Sequence, residues 1–347
     1  MPPWPNASAK MDPDAVRGAT RVSHGGEADP DVLDFSANTN HRTPDGARAV
    51  YATAFDEARR YPDDAYSAFR AAAASVVGCD PEQVVPTPGG LAAIRLAIAT
   101  RVGPGDSVLL PAPSFGEYAR EVELQGADPA FVEHDAVLEV DPSPHAMAVV
   151  CTPNNPTGEA ADPDRLREFA ARCRDAETDL LVDEAFLGYT DLPSMAGTEG
   201  VVVARSLTKL YGLPGVRAGY AVATDDRLAD LETARRAWNL STPAARVGAH
   251  CLRDEAFVRE TRDAVERERA RLREALATRF DVSPADAPFL LLDVGDRSVD
   301  ELVARARERG VAVRDATTFR GLDSHVRVAV KDRTANDRLL EALDVRD

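Results

Sequence analysis

Five short apolar runs, separated by stretches of helical periodicity, constrain this chain more than any other feature. Residues 108–110, 148–151, 180–182, 201–204 and 218–222 are apolar throughout and too short for buried helices. Runs of that kind read as strands of a sheet covered on both faces. Between them, residues 91–101, 116–125, 164–175 and 227–237 read as helices. This alternation predicts an α/β fold, a mostly parallel sheet sandwiched by helices. Ligands of such sheets gather at the carboxyl ends of the strands.

The pattern changes after residue 244. Arg and Glu interleave at helical spacing, which predicts one long helix over 244–279. Strands near 289–294, 311–314 and 326–330 then alternate with helices over 299–309 and 334–343, a small α+β unit. A chain of 347 residues is long enough for two cores. The expected division is an arm over 1–44 that joins the small domain and the active site, a large domain over 45–250, and a small domain over 251–347. Residues 2–18 read as a mobile arm.

Charge excludes several classes of partner. The chain carries 41 Lys plus Arg against 58 Asp plus Glu, a net charge of −17. Such a surface repels nucleic acid and anionic membranes. No run approaches the roughly 20 apolar residues of a membrane helix. Residues 1–10 lack the apolar core of a secretory signal, so a cytoplasmic protein is expected and the sequon at Asn6 carries no meaning. Cys79, Cys151, Cys173 and Cys251 lack metal-ligand spacing and read as buried or half-buried thiols. The only lysines are Lys10, Lys209 and Lys331. This acidic, lysine-poor, alanine-rich composition looks like that of proteins from salt-rich cytoplasm. An anionic substrate must then be captured by positive groups placed for it.

One lysine stands where chemistry is expected. Lys209 lies in the loop after the run 201–204, three residues past Ser206 and eight before Arg217. A hydroxyl, an amine and a guanidinium clustered there suit a phosphate whose parent molecule carries an aldehyde. Lysine is the side chain that condenses with an aldehyde, and it attacks only when neutral, a state that a neighbouring cation favours.

This segment resembles the lysine motif of fold-type I pyridoxal-phosphate enzymes, the aminotransferase class I/II superfamily. Two further motifs carry the likeness: Cys151-Thr152-Pro153-Asn154-Asn155-Pro156-Thr157-Gly158, and Asp183-Glu184-Ala185-Phe186. The resemblance implies pyridoxal 5′-phosphate as cofactor. Asp183 should pair with its ring nitrogen, Asn155 should donate to its phenolic oxygen, and Phe115 should stack on its ring. Phe186 should lie beside it, and Glu184 should be structural. Gly90 and Leu91, at a helix start after Thr87-Pro88-Gly89, should hold the phosphate with Ser206 and Arg217. Pro88, Gly90 and Ala92 depart from the polar pattern of the family here. Tyr61 matches a tyrosine that reaches the neighbouring subunit's cofactor phosphate, which implies a homodimer with shared active sites.

Within the superfamily, His24-Gly25-Gly26, residues 34–40, Arg60-Tyr61-Pro62-Asp63, residues 114–118 and residues 321–324 resemble the threonine-phosphate decarboxylase branch. That likeness implies decarboxylation of L-threonine O-3-phosphate to (R)-1-aminopropan-2-yl phosphate for cobalamin biosynthesis. Arg327 should take the substrate carboxylate and Arg314 its phosphate, since a planar guanidinium binds either bidentately. His24, Gly25 and Asn38 should complete the substrate site, and Asn155 borders it too. The alternative is a histidinol-phosphate type of aminotransferase, which usually has tyrosine where this chain has Phe186. A third possibility, a regulator that reuses the fold, needs a DNA-binding domain. The segment before His24 is too short and insufficiently basic for one.

Overall fold

The computed structural model describes residues 11–345. The sequon at Asn6, the segment tested for a signal and the first ten residues of the predicted arm lie outside the described residues; within the stretch expected to be mobile, Pro13–Gly18 is a helix capped by Asp12. Seven strands form the large sheet. Their spatial order is Val84–Thr87, Gly219–Val222, Val201–Ser206, Asp179–Asp183, Met147–Cys151, Ser107–Ala112 and Asp128–Glu133. The last five are mutually parallel, and Gly219–Val222 runs antiparallel to both of its neighbours.

Alternation along each central strand explains why these runs are wholly apolar. Leu109, Val150, Leu180, Val182 and Val203 enter one core cluster, while Leu110, Val149, Leu181 and Val202 enter another. Successive side chains point to opposite faces, so a strand covered on both sides needs apolar residues at every position. Helix Gly90–Arg101 covers one face through Ala93, Ile94, Ala97 and Ile98. Helix Pro163–Asp175 covers the other through Leu166, Phe169, Ala170 and Cys173. Cys151, Cys173 and Cys251 are buried, Cys79 is half-buried, and all four are free thiols.

Several features differ from the sequence expectation, the strand Val84–Thr87 among them. The predicted helix over 244–279 is two helices, Thr242–Leu252 and Glu255–Leu276. Asp254 parts them by accepting a hydrogen bond from the Phe257 amide, as an N-cap does. The predicted strand over 311–314 divides at Val313. Val311–Ala312 pairs in parallel with Leu33–Asp34, and Arg314–Asp315 joins a second sheet. Finally, helices Ala47–Glu57 and Ser67–Val77 and the edge strand Asp128–Glu133 were not anticipated. Their buried positions are largely small alanines or only half-covered, so the apolar period is weak.

The second sheet orders Arg314–Asp315, His325–Ala329, Phe289–Asp293 and Asp281–Val282, all antiparallel. Phe35 is buried with Leu290, Leu292, Val326 and Val328 in the core of this sheet. Arg314 stands directly opposite Arg327 in the ladder. No helix among the described residues is long and apolar enough to cross a membrane.

Candidate active site

The parallel strands end at Ala112, Cys151, Asp183 and Ser206, and the loops that follow carry Phe115, Asn155, Phe186 and Lys209. These loops, helix Gly90–Arg101 and the second sheet enclose a cavity of about 630 Å³. Its walls bring together His24, Gly25, Asn38, Gly90, Leu91, Phe115, Asn155, Asp183, Phe186, Ser206, Lys209, Arg217, Arg314 and Arg327. Every site residue expected from sequence is there except Tyr61. That ring is 78% exposed and stacks on Trp238 with centroids 4.4 Å apart, away from the cavity.

One end of the cavity is a cradle. A side-chain carbon on Gly89 would lie 2.5 Å from the Arg217 guanidinium, and one on Gly90 would lie 2.9 Å from Cβ of Ser206. The departure at Gly90 thus has a steric reason: a side chain there would meet Ser206. What remains is the bare N-terminus of Gly90–Arg101, whose first amides have no partner within the helix, with a hydroxyl and a guanidinium beside it. Ser206 Oγ is 2.8 Å from Thr208 Oγ1, so a second hydroxyl, missed in the sequence, joins the cradle. These donors fit a phosphate dianion.

Lys209 and Asp183 face the middle of the cavity. Burial lowers the Lys209 pKa to about 8, with Arg327 and then Arg217 acting in the same direction and Asp183 against them. Desolvation is therefore the main reason this amine is readily neutral; the cationic neighbours expected to do this are secondary. The ammonium lies 5.7 Å from the Phe186 ring centroid. Asp183 is 5% exposed and accepts from the Ala185 amide at 2.9 Å and from the Tyr118 hydroxyl at 2.6 Å. Burial raises its pKa, and the Tyr118 hydrogen bond is the first influence opposing that. Glu184 points away from the cavity, where it meets Arg205, Ser194 and the Met195 amide.

The opposite wall is cationic. Arg327 is buried, donates to Ser36 O at 2.9 Å and to Asn155 Oδ1, and keeps an unpartnered Nε. Arg314 donates to Ser23 O at 2.7 Å and to Thr318 Oγ1 at 2.9 Å. Among the described residues neither guanidinium has an acidic partner, and Phe319 lies 5.6 and 5.7 Å from the two. Burial, then the neighbouring Arg314, lowers the Arg327 pKa. The amide oxygen of Asn38 is likewise buried without a partner.

His24 and Gly25 of the His-Gly-Gly segment border the cavity. A side chain on Gly25 would fall 2.2 Å from Ser36 O, so only glycine lets the strap lie this close. His24 Nε2 lies 2.9 Å from Oε1 of the buried Glu117, which Arg120 also approaches at 3.4 Å. Glu117 and Tyr118 stand side by side in a motif noted in the sequence without a role. Their partners lie 93 and 65 residues away, so no local pattern could reveal them.

Residues 30–343 match the model of the aminotransferase class I and II family. The chain belongs to that family. Histidinol-phosphate aminotransferase 2 of Archaeoglobus fulgidus is 30% identical over 329 residues, 91% of this chain and 93% of that one. Threonine-phosphate decarboxylase of Salmonella typhimurium is 30% identical over 331 residues, 90% of each chain. Among solved structures, a histidinol-phosphate aminotransferase from Sinorhizobium meliloti in complex with pyridoxal-5′-phosphate superposes with a TM-score of 0.79 at 20% identity, covering 88% of each chain. The cofactor of this family member is pyridoxal 5′-phosphate, and the residues present fit it: a phosphate cradle, an amine for the aldehyde, and a buried carboxylate for the ring nitrogen.

Proposed function

We propose that this enzyme decarboxylates L-threonine O-3-phosphate to (R)-1-aminopropan-2-yl phosphate, a step that serves cobalamin biosynthesis. The observation that carries the reading is the pair Arg314 and Arg327, buried side by side with no acidic partner among the described residues. Two adjacent guanidiniums repel each other in a low dielectric and call for a ligand with two anionic ends. A phosphorylated amino acid has one at each end.

In this reading Arg327 takes the carboxylate and Arg314 the phosphate, with His24 and Asn38 at the same end. Gly90, Leu91, Ser206 and Arg217 hold the cofactor phosphate, Asn155 donates to the phenolic oxygen, and Phe115 covers the ring. When bound, the cofactor supplies an electron sink for the pair left on Cα as a bond there breaks. The two arginines decide which bond that is, because they fix the direction of the carboxylate. Carbon dioxide leaves, and Lys209 delivers a proton to Cα in its place. Phe186 offers no hydroxyl to the phenolic oxygen, which leaves that contact to Asn155. Exposed Tyr61, stacked on exposed Trp238, supports a homodimer in which Tyr61 completes the partner's site.

The test offers the holoenzyme two substrates. Carbon dioxide release from O-phospho-L-threonine is expected, without amino transfer between glutamate and imidazole-acetol phosphate. Transfer without release would replace this reading with the histidinol-phosphate type of aminotransferase.

A further inference from the structure

Asp183 presents a problem that its assigned role does not solve. It is a buried carboxylate, and among the described residues no Arg, His or Lys forms an ion pair with it. Such a group favours its neutral form unless hydrogen bonds hold the charge. A neutral Asp183 would be useless to a protonated ring nitrogen, and a carboxylate free to rotate would be little better.

Two donors act on it. The Ala185 amide fixes Oδ1 at 2.9 Å, a bond made by the chain's own turn after the strand. The Tyr118 hydroxyl takes Oδ2 at 2.6 Å. Tyr118 itself has no exposure and sits among Ile94, Val122, Cys151 and Leu181. Burial raises its pKa well above the ordinary phenol value, so it stays protonated and acts as donor. Each carboxylate oxygen has a second lone pair, and Asp183 borders the cavity. The same Tyr118 ring meets Phe115 edge-on, centroids 5.6 Å apart at 85°. One side chain therefore braces both the carboxylate beneath the expected ring nitrogen and the aromatic ring expected to cover it.

We infer that Tyr118 is the positioning residue that fixes the Asp183 carboxylate for the cofactor's ring nitrogen. The inference rests on the expected pairing of Asp183 with the cofactor's ring nitrogen, not on which reaction follows. Its test reads cofactor binding, so failure of the decarboxylase reading would leave it untouched. Apo enzyme is titrated with pyridoxal 5′-phosphate and, separately, with an analogue carrying CH in place of the ring nitrogen. Tyr118→Phe should weaken the natural cofactor about tenfold to a hundredfold, as loss of a hydrogen bond to a charged group does. It should leave the analogue's affinity within about twofold of wild type. Equal weakening of both ligands, or of neither, would overturn the inference. Should Tyr118→Phe alone misfold, Asp183→Asn and the double variant Tyr118→Phe/Asp183→Asn contain no unpaired buried carboxylate. Those two should bind the cofactor equally, and a further tenfold loss in the double variant would count against Tyr118 acting through Asp183.

Discussion

Strand Asp179–Asp183 begins and ends with a buried aspartate, and the two are treated in opposite ways. Asp179, at the amino end, meets Arg227 at 2.6 Å and Arg101 at 3.7 Å, and Arg101 also reaches Asp226 at 3.1 Å and Asp230 at 3.4 Å. Every charge there has a fixed partner of opposite sign. Asp183, at the carboxyl end, is held by a phenol and an amide, and among the described residues Arg314 and Arg327 at the cavity form no ion pair. One end of the sheet is electrostatically closed; the other is left to be completed by ligands. Compensated charge marks structure, and uncompensated charge held by neutral donors marks function.

The largest effects come from exchanging the two aspartates separately for asparagine. Asp179→Asn leaves Arg227 and Arg101 short of a partner and should destabilise the fold by about 3 kcal/mol, the low end for a broken buried pair because Arg101 retains Asp226 and Asp230. Cofactor absorbance per folded molecule should not change. Asp183→Asn should do the reverse: an unchanged or raised Tm, and turnover lower by at least about 10³-fold. Denaturation and steady-state assays on both variants check the split. A large stability loss at Asp183 would break the comparison.

The arginines extend the contrast with a smaller effect. Arg101→Gln should lower Tm, since Asp230 loses its partner and Asp179 and Asp226 are left with Arg227 alone. Arg314→Gln should not, because it relieves repulsion with Arg327, and KM for the phosphorylated substrate should rise about a hundredfold, within the range for truncating one member of a buried charge pair. An unaltered KM would detach Arg314 from the substrate.

The sequence made much of this legible, for reasons that also set its limit. The central strands announced themselves because burial on both faces requires uninterrupted apolar runs, as in Leu180-Leu181-Val182. The loops after them carried, in recognisable order, residues that line one cavity. Helix Ser67–Val77 did not stand out, since Ala72, Ala73 and Ala74 bury without a strong apolar period. The break at Asp254 was missed, because its cap shows only in the hydrogen bond from the Phe257 amide. Tyr118 and Glu117 stood in view, but their roles arise only when Asp183 and the His24 strap fold against them.

Lys209 permits a test through pH. Its folded pKa of about 8 lies below the ordinary value of 10.5, so the folded apo protein binds its proton less readily than the unfolded chain does. Keeping the ammonium buried therefore costs stability below about pH 8, and that cost fades as pH rises toward 10.5. Lys209→Met should stabilise the apo protein by about 1–3 kcal/mol near neutral pH. The gain should shrink at pH 10, which thermal denaturation at the two values would measure. A gain that does not depend on pH would assign the effect to packing.

The smallest effect separates the outside of the molecule from its cavity. The net charge of −17 is spread over a surface where salt screens repulsion, while the guanidiniums proposed to meet the substrate are buried. The screening length falls from about 10 Å at 0.1 M salt to about 3 Å at 1 M, and buried pairs feel much less of that change. Raising KCl across this range should lift the Tm of the apo enzyme by a few degrees, as about 1 kcal/mol of relieved repulsion would. KM for a substrate clamped by Arg314 and Arg327 should rise by less than about threefold, because most of its contacts are beyond the reach of the screening ions. A Tm that falls with salt would mean that the many ion pairs at the surface outweigh its excess of carboxylates. A KM that climbs steeply would mean that the two arginines meet the substrate in open solvent, and the distinction between a screened outside and a protected inside would then be lost.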